Sequence, residues 1–165
     1  MKYKIVKLER LSGEMASIYS IVMNNEISTL FDNFLKENMI SFKDETIDIF
    51  KRLNSIGKEL GARDVFFKDF EGKPGDGVCA LFDVPYSNLR LYCIKYGTQI
   101  VILGGGGFKS KSTRALQETK KLEDENYLLR SISAQITQRI KDKDIRFTES
   151  GHDFIGDLDF NDDEN

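Results

Sequence analysis

One histidine, two cysteines and two prolines are all that this 165-residue chain holds of those residue types. Each scarcity excludes something. With His152 alone, a ribonuclease working through two histidines is ruled out, and a histidine-based metal site would have to draw its other ligands from acids. Cys79 and Cys93 fall inside strand-like runs without metal-ligand spacing. They read as buried free thiols in a reducing cytoplasm. No apolar run approaches the roughly 18 residues that a membrane span requires, so no membrane partner is expected. The opening Met1-Lys-Tyr-Lys-Ile-Val-Lys7 alternates charge with apolar residues and lacks the continuous apolar core of a signal peptide.

Catalytic signatures are equally sparse. A phosphate-binding loop of the G-x-x-x-x-G-K-[ST] kind, aligned on Lys109-Ser110, would put its two required glycines at Leu103 and Phe108. That spacing excludes a nucleoside-triphosphate site. Ser12, Ser110 and Ser112 have no histidine nearby in sequence, and no G-x-S-x-G elbow occurs. The acids near the C-terminus lack EF-hand spacing. Neither a metal nor another cofactor is expected.

What is present describes a globular domain. The chain is 40% hydrophobic and 31% charged, and at this length it buries a core without disulfides. Strands are expected over Lys2–Glu9 and Ala16–Met23. A short helix follows, capped within Asn24–Ser28 and with Leu30, Phe31, Phe34 and Leu35 on its apolar face. A longer helix starts at Ser41 or Asp44, carries Ile49, Phe50, Leu53, Ile56 and Leu60 at helical spacing, and stops at Gly61. Val65–Phe70 and Val78–Val84 read as strands around the loop Lys73–Gly77. The second of them is ended by Pro85.

Leu89–Leu103 reads as a hairpin closed by a two-residue type II′ turn at Gly97-Thr98, leading into a glycine-rich exit at Gly104–Gly107. Thr113–Asp142 is helical with a break near Lys121–Glu125. Ile145–Phe147 is a further short strand, and Ser150-Gly151 a turn. The whole is α+β, an antiparallel or mixed sheet with packed helices. Residues 1–150 make a single domain, and residues 151–165 make an acidic tail.

The net charge of −3 conceals an asymmetry. Residues 151–165 hold six acids and no lysine or arginine, which leaves 24 cations against 21 acids, a net of +3, over residues 1–150. Between Tyr86 and Lys121 the cations are Arg90, Lys95, Lys109, Lys111, Arg114, Lys120 and Lys121, against Glu118 alone. Such a cluster either draws a polyanion or forms a solvated basic face. RNA is the leading candidate partner. Cleaving RNA without a metal means removing a 2′-hydroxyl proton, stabilising charge on phosphorus and protonating the departing 5′-oxygen. Crowded lysines and arginines can serve these steps. Arg90, Lys109 and Lys111 are therefore the candidate catalytic residues. Lys95, Arg114 and the aromatics Tyr92 and Phe108 are candidates for gripping backbone or stacking on bases. Strand alternation limits this picture: Arg90 and Lys95 belong to opposite faces, and Tyr92 is also suited to the core.

Arg90-Leu-Tyr92, the apolar Ile100-Val-Ile-Leu103 and then Phe108-Lys-Ser-Lys-Ser-Thr113 resemble the RelE/ParE superfamily of bacterial toxins, most closely its phage-derived, HigB-like branch. The likeness follows element order over residues 42–141 and is specific over 89–114. It implies a RelE-like fold and the toxin of a type II toxin–antitoxin pair. Many members cleave messenger RNA on the ribosome, the ParE branch poisons DNA gyrase, and a cognate antitoxin neutralises the toxin. It also implies that Arg90 polarises phosphate while Lys109 and Lys111 hold the RNA backbone. The N-terminal strands and short helix are additions to the minimal toxin. The segment Phe154–Phe160 has no counterpart, and would either cover the basic patch or add an edge strand. The histidine that closes the family's helix is missing unless His152 folds back to replace it. A non-catalytic protein-binding module, or a gyrase-directed ParE-like toxin without ribonuclease activity, is the alternative reading.

Overall fold

The computed structural model describes residues 1–69, 76–81, 87–109 and 116–161, with side chains of the last segment from residue 120 onward. Lys2–Lys7 (β1) and Ser17–Met23 (β2) pair antiparallel, Tyr3 opposite Met23 and Lys7 opposite Tyr19. The following helix, Leu30–Asn38 (α1), is capped by Thr29 rather than by a residue of 24–28. The Thr29 hydroxyl accepts the Asp32 amide at 3.0 Å, and the Asp32 carboxylate accepts the Thr29 amide in return.

Lys43–Ser55 (α2) runs into one π turn, Ile56–Leu60, and stops at Gly61 with φ +78°. That left-handed conformation favours glycine. The π turn presents the Gly57 carbonyl to the amides of Met15 and Ala16, at 3.0 and 3.1 Å, so the helix end is fixed to the loop after β1. Asp64–Phe66 then forms a single 3-10 turn, leaving a two-residue strand, Phe67–Lys68 (β3), where a longer one was expected. Val78–Leu81 is β4. Most of the loop expected at 73–77, and positions 82–84 of the strand expected there, lie outside the described residues.

Leu89–Tyr96 (β5) and Ile100–Phe108 (β6) form the expected hairpin with two differences. Tyr96 pairs with Ile100, so the connection has three residues, not two. Its carbonyls are occupied from outside: Thr98 O accepts the Ala62 amide and Gln99 O the Ser17 amide, both at 2.8 Å. The glycines are not an exit from the sheet but the second half of β6. A bulge lies there, since Leu91 pairs with Gly106 and Cys93 with Leu103, leaving Gly104 and Gly105 opposite Tyr92 alone. It reverses the alternation and turns Phe108 toward the face shared by Val101 and Leu103. Cys79 and Cys93 are free, buried and directly opposite each other on β4 and β5.

Leu116–Lys141 (α3) is unbroken. The charged stretch that suggested a break instead supplies i,i+4 pairs, Lys120 with Asp124 and Lys121 with Glu125, which support a helix. Ile145–Phe147 (β7) pairs with Phe154–Gly156 (β8), and Asp159–Asn161 (β9) pairs with β1. The segment read as a solvated acidic tail is thus largely built into the fold, and its last strand takes the edge position.

The main sheet runs β3-β4-β5-β6-β2-β1-β9. It is antiparallel except for the β2/β6 pair, which is parallel. The architecture is therefore mixed α+β. Helices α1 and α2 cover one face around Phe31, Phe34, Ile49, Leu53 and Leu91. The β7–β8 hairpin and α3 cover the other around Tyr92, Ile94, Ile102, Leu129, Ile132, Ile136 and Phe154. Among the described residues, no helix is long and apolar enough to cross a membrane.

Candidate polyanion site

The start of β5 is held by α2. The Glu45 carboxylate accepts the amides of Asn88 and Leu89, both at 2.7 Å, and the Asn88 side-chain amide at 3.2 Å. This fixes Arg90 in register with Gly107, while Leu89 pairs with Phe108 and the Lys109 amide donates to Asn88 O at 2.7 Å. Arg90, Phe108 and Lys109 are thereby gathered at one end of the hairpin. Because Leu89, Leu91 and Cys93 point into the α1/α2 core, alternation places Arg90 on the α3 face. Phe108, past the bulge, points the other way and stacks on Phe42 with centroids 5.4 Å apart. Arg90, Phe108 and Lys109 are all half-buried.

The other candidates do not join them. Tyr92 is 5% exposed and belongs to the α3-side core, so its ring has no face to offer a base. Lys95 lies at the far end of β5 and on the opposite face, its ammonium 2.6 Å from Asp64 and 5.8 Å from the Phe67 ring centroid. That contact holds the Asp64 carboxyl below its usual pKa. Lys111 and Arg114 lie outside the described residues. His152 does not fold back to the cluster. Its neighbour Gly151 lies against the Gln99 side chain, before the first residue of β6, whereas Lys109 follows the last. A strand of nine residues separates them, on the order of 30 Å at about 3.3 Å per residue.

Two residues of α3 that were not among the candidate site residues lie over the strand opposite Arg90. On α3, the Lys121 stem lies against Gly107, 3.4 Å from where a β-carbon would be, and the Glu125 carboxylate occupies the space a side chain at Gly105 would need. Lys121 Nζ is 2.5 Å from Glu125 and 3.2 Å from Glu37 at the end of α1. Burial pulls the Lys121 pKa down, but Glu125 and then Glu37 outweigh it, and the net displacement is upward. The i,i+4 spacing of Lys121 and Glu125 was readable in the sequence. Glu37 was not, because only the fold brings α1 to this strand.

Elsewhere, an apolar groove of about 400 Å³ lies between α2, its π turn and β4, lined by Ile56, Leu60, Val65, Phe66 and Leu81 with Lys51 and Arg52 at its rim. Val65 is 73% exposed there. Among the described residues no cluster of three or more His, Cys, Asp or Glu side chains is placed to hold a metal. No family model matches the sequence, no curated protein matches it, and no solved structure matches the fold.

Proposed function

We propose that this chain is a toxin of the RelE/ParE kind, with a RelE-like fold, that acts on RNA from the Lys109 end of the β5–β6 hairpin. The observation that carries this reading is the pairing that gathers Arg90 and Lys109 at one end of the hairpin. Two cations there suit consecutive phosphates, and the guanidinium of Arg90 suits the two oxygens of one phosphate. In cleavage the 2′-oxygen gives up its proton and attacks phosphorus, and the 5′-oxygen leaves with a proton. The products are a 2′,3′-cyclic phosphate and a 5′-hydroxyl. Arg90 offsets the charge gained by the phosphoryl oxygens, and Lys109 and Lys111 hold the backbone and exchange protons. The setting is the cytoplasm, the substrate messenger RNA on the ribosome, and the restraining partner a cognate antitoxin.

The test is expression in bacteria of the chain carrying Arg90→Glu, Lys109→Glu and Lys111→Glu. Growth arrest and new transcript ends should both disappear, with the fold retained by circular dichroism. Arrest that survives all three changes removes the nuclease reading.

That outcome would favour the second reading, a non-catalytic protein-binding module. Its support is the groove between α2 and β4, an apolar trough with Lys51 and Arg52 at its rim, Arg52 already paired with Asp48 at 3.0 Å. It suits an acidic segment of a partner protein that buries apolar side chains.

A further inference from the structure

The four glycines of β6 have no catalytic spacing, yet each faces a specific demand. Added β-carbons at Gly104, Gly105 and Gly107 would meet Leu129, Glu125 and Lys121 of α3 in turn, and one at Gly106 would run into the Arg90 carbonyl. The strand is bare where α3 crosses it, and what lies on it at Gly105 and Gly107 is a charged pair rather than apolar packing. Lys121 is held from two sides, by Glu125 of its own helix and by Glu37 of α1. It stands over the strand position that pairs with Arg90, two residues before Lys109.

We propose that Lys121, Arg90 and Lys109 form one phosphodiester-binding floor across Gly107, which Glu37 and Glu125 occupy in the free protein and an RNA phosphate takes over on binding. A phosphate can replace those carboxylates because it offers the same lysine the same charge-assisted acceptors. The lysine's side chain is 40% exposed, and those of Glu37 and Glu125 are 47% and 17% exposed, so the exchange takes place at the surface. Lys121 would be a binding residue, and Glu37 and Glu125 would be competitors that tune affinity. This rests on the RNA reading above and adds to it a named residue and a built-in restraint.

Binding of a labelled single-stranded RNA, measured by anisotropy over a range of salt, tests the exchange. Glu37→Gln together with Glu125→Gln should tighten binding about tenfold, by removing two competing charges. Lys121→Met should weaken it and lower the salt slope by about one phosphate contact. Hydrogen exchange on the same variants checks that α3 remains folded, and in the unaltered protein RNA should change exchange around residues 120–128. Double-variant affinity equal to that of the parent, with the salt slope of Lys121→Met unchanged, overturns the exchange. If Arg90→Glu and Lys109→Glu still abolish binding in that case, the RNA site stands and only the restraint falls. If the parent binds no RNA, and neither carboxylate change creates binding, both fall together.

Discussion

The two halves of α3 are held to the same sheet by different physics. Its C-terminal half puts Leu129, Ile132 and Ile136 into the core at 1% exposure or less. Arg139 then clamps the chain end: its guanidinium donates to the carbonyls of Asp157 and Asp159 at 2.9 and 2.8 Å, and lies 3.7 Å above the Phe160 ring, itself stacked on Tyr3. The N-terminal half crosses glycines and is tied down by the Glu37–Lys121–Glu125 contacts, with Leu122 and Leu128 only partly buried. Apolar burial has no charge for salt to screen, whereas half-exposed ion pairs are weakened by screening. A helix can thus be permanent at one end and negotiable at the other, and the negotiable end lies beside Arg90.

The largest effect expected is in the permanent half. Ile132→Ala removes a fully buried side chain and should cost about 3 kcal/mol in urea unfolding. Leu122→Ala, in the other half, should cost about 1 kcal/mol, because its side chain is only partly buried. Equal losses would erase the distinction between the halves. Next comes Gly105→Ala. Its methyl group would displace the Glu125 carboxylate, a flexible group, so the cost should be about 1 to 2 kcal/mol. The signature should be local: exchange of α3 amides near residue 125 should speed up while those near residue 136 stay protected. A third measurement needs no mutation. In about 1 M salt, where screening acts within roughly 3 Å, exchange should accelerate across residues 120–128 and not across 130–138. Uniform acceleration would mean that the helix opens as one unit.

Most elements were legible in the sequence because their signals are local. The alternation of β1, the apolar stripe of α2 and the left-handed stop at Gly61 all depend on near neighbours. Local signals also misled. Glycines are the usual mark of a turn, but Gly104–Gly107 extend a strand, three of them because α3 needs room above them and Gly106 because the Arg90 carbonyl does. Lys121–Glu125 looked like a polar interruption, and only side-chain pairing along the helix makes it a continuation. The parallel β2/β6 pair and the place of β9 beside β1 join segments far apart in sequence, which no periodicity announces. For the site, alternation correctly separated Arg90 from Lys95 and allowed Tyr92 a core position. Composition, however, counted Lys95 and Lys121 as available charge, when each already faces a carboxylate supplied by a distant element, Asp64 and Glu37.

The smallest effects are at the extremes of pH, where the β7–β8 hairpin and the start of α3 should fail in opposite directions. Asp153, in the turn before β8, accepts hydrogen bonds from Ser17 at 2.9 Å and Tyr19 at 3.0 Å and an ion pair from Lys7 at 3.0 Å. Burial raises its pKa, but those partners outweigh it and leave it below the ordinary 3.8. On the other side, burial of the Tyr19 phenol and its carboxylate neighbour push it up to about 12, so it stays a donor. A carboxyl with a depressed folded pKa contributes stability that is complete above its unfolded value and lost as pH falls through the folded one. The β7–β8 hairpin should therefore loosen below about pH 4, by about 1 kcal/mol or less given its partial exposure. Lys121 has the opposite sign. Its pKa is raised above the ordinary 10.5, so its contribution is present below that value and disappears as pH climbs through the folded one. Hydrogen exchange corrected for intrinsic rates should show residues 148–156 opening first in acid and residues 120–128 first in alkali. Asp153→Asn should abolish the first response and leave the second intact. If acid instead opened the α3 start before the hairpin, the assignment of Asp153 to the hairpin and Lys121 to the α3 start would be wrong.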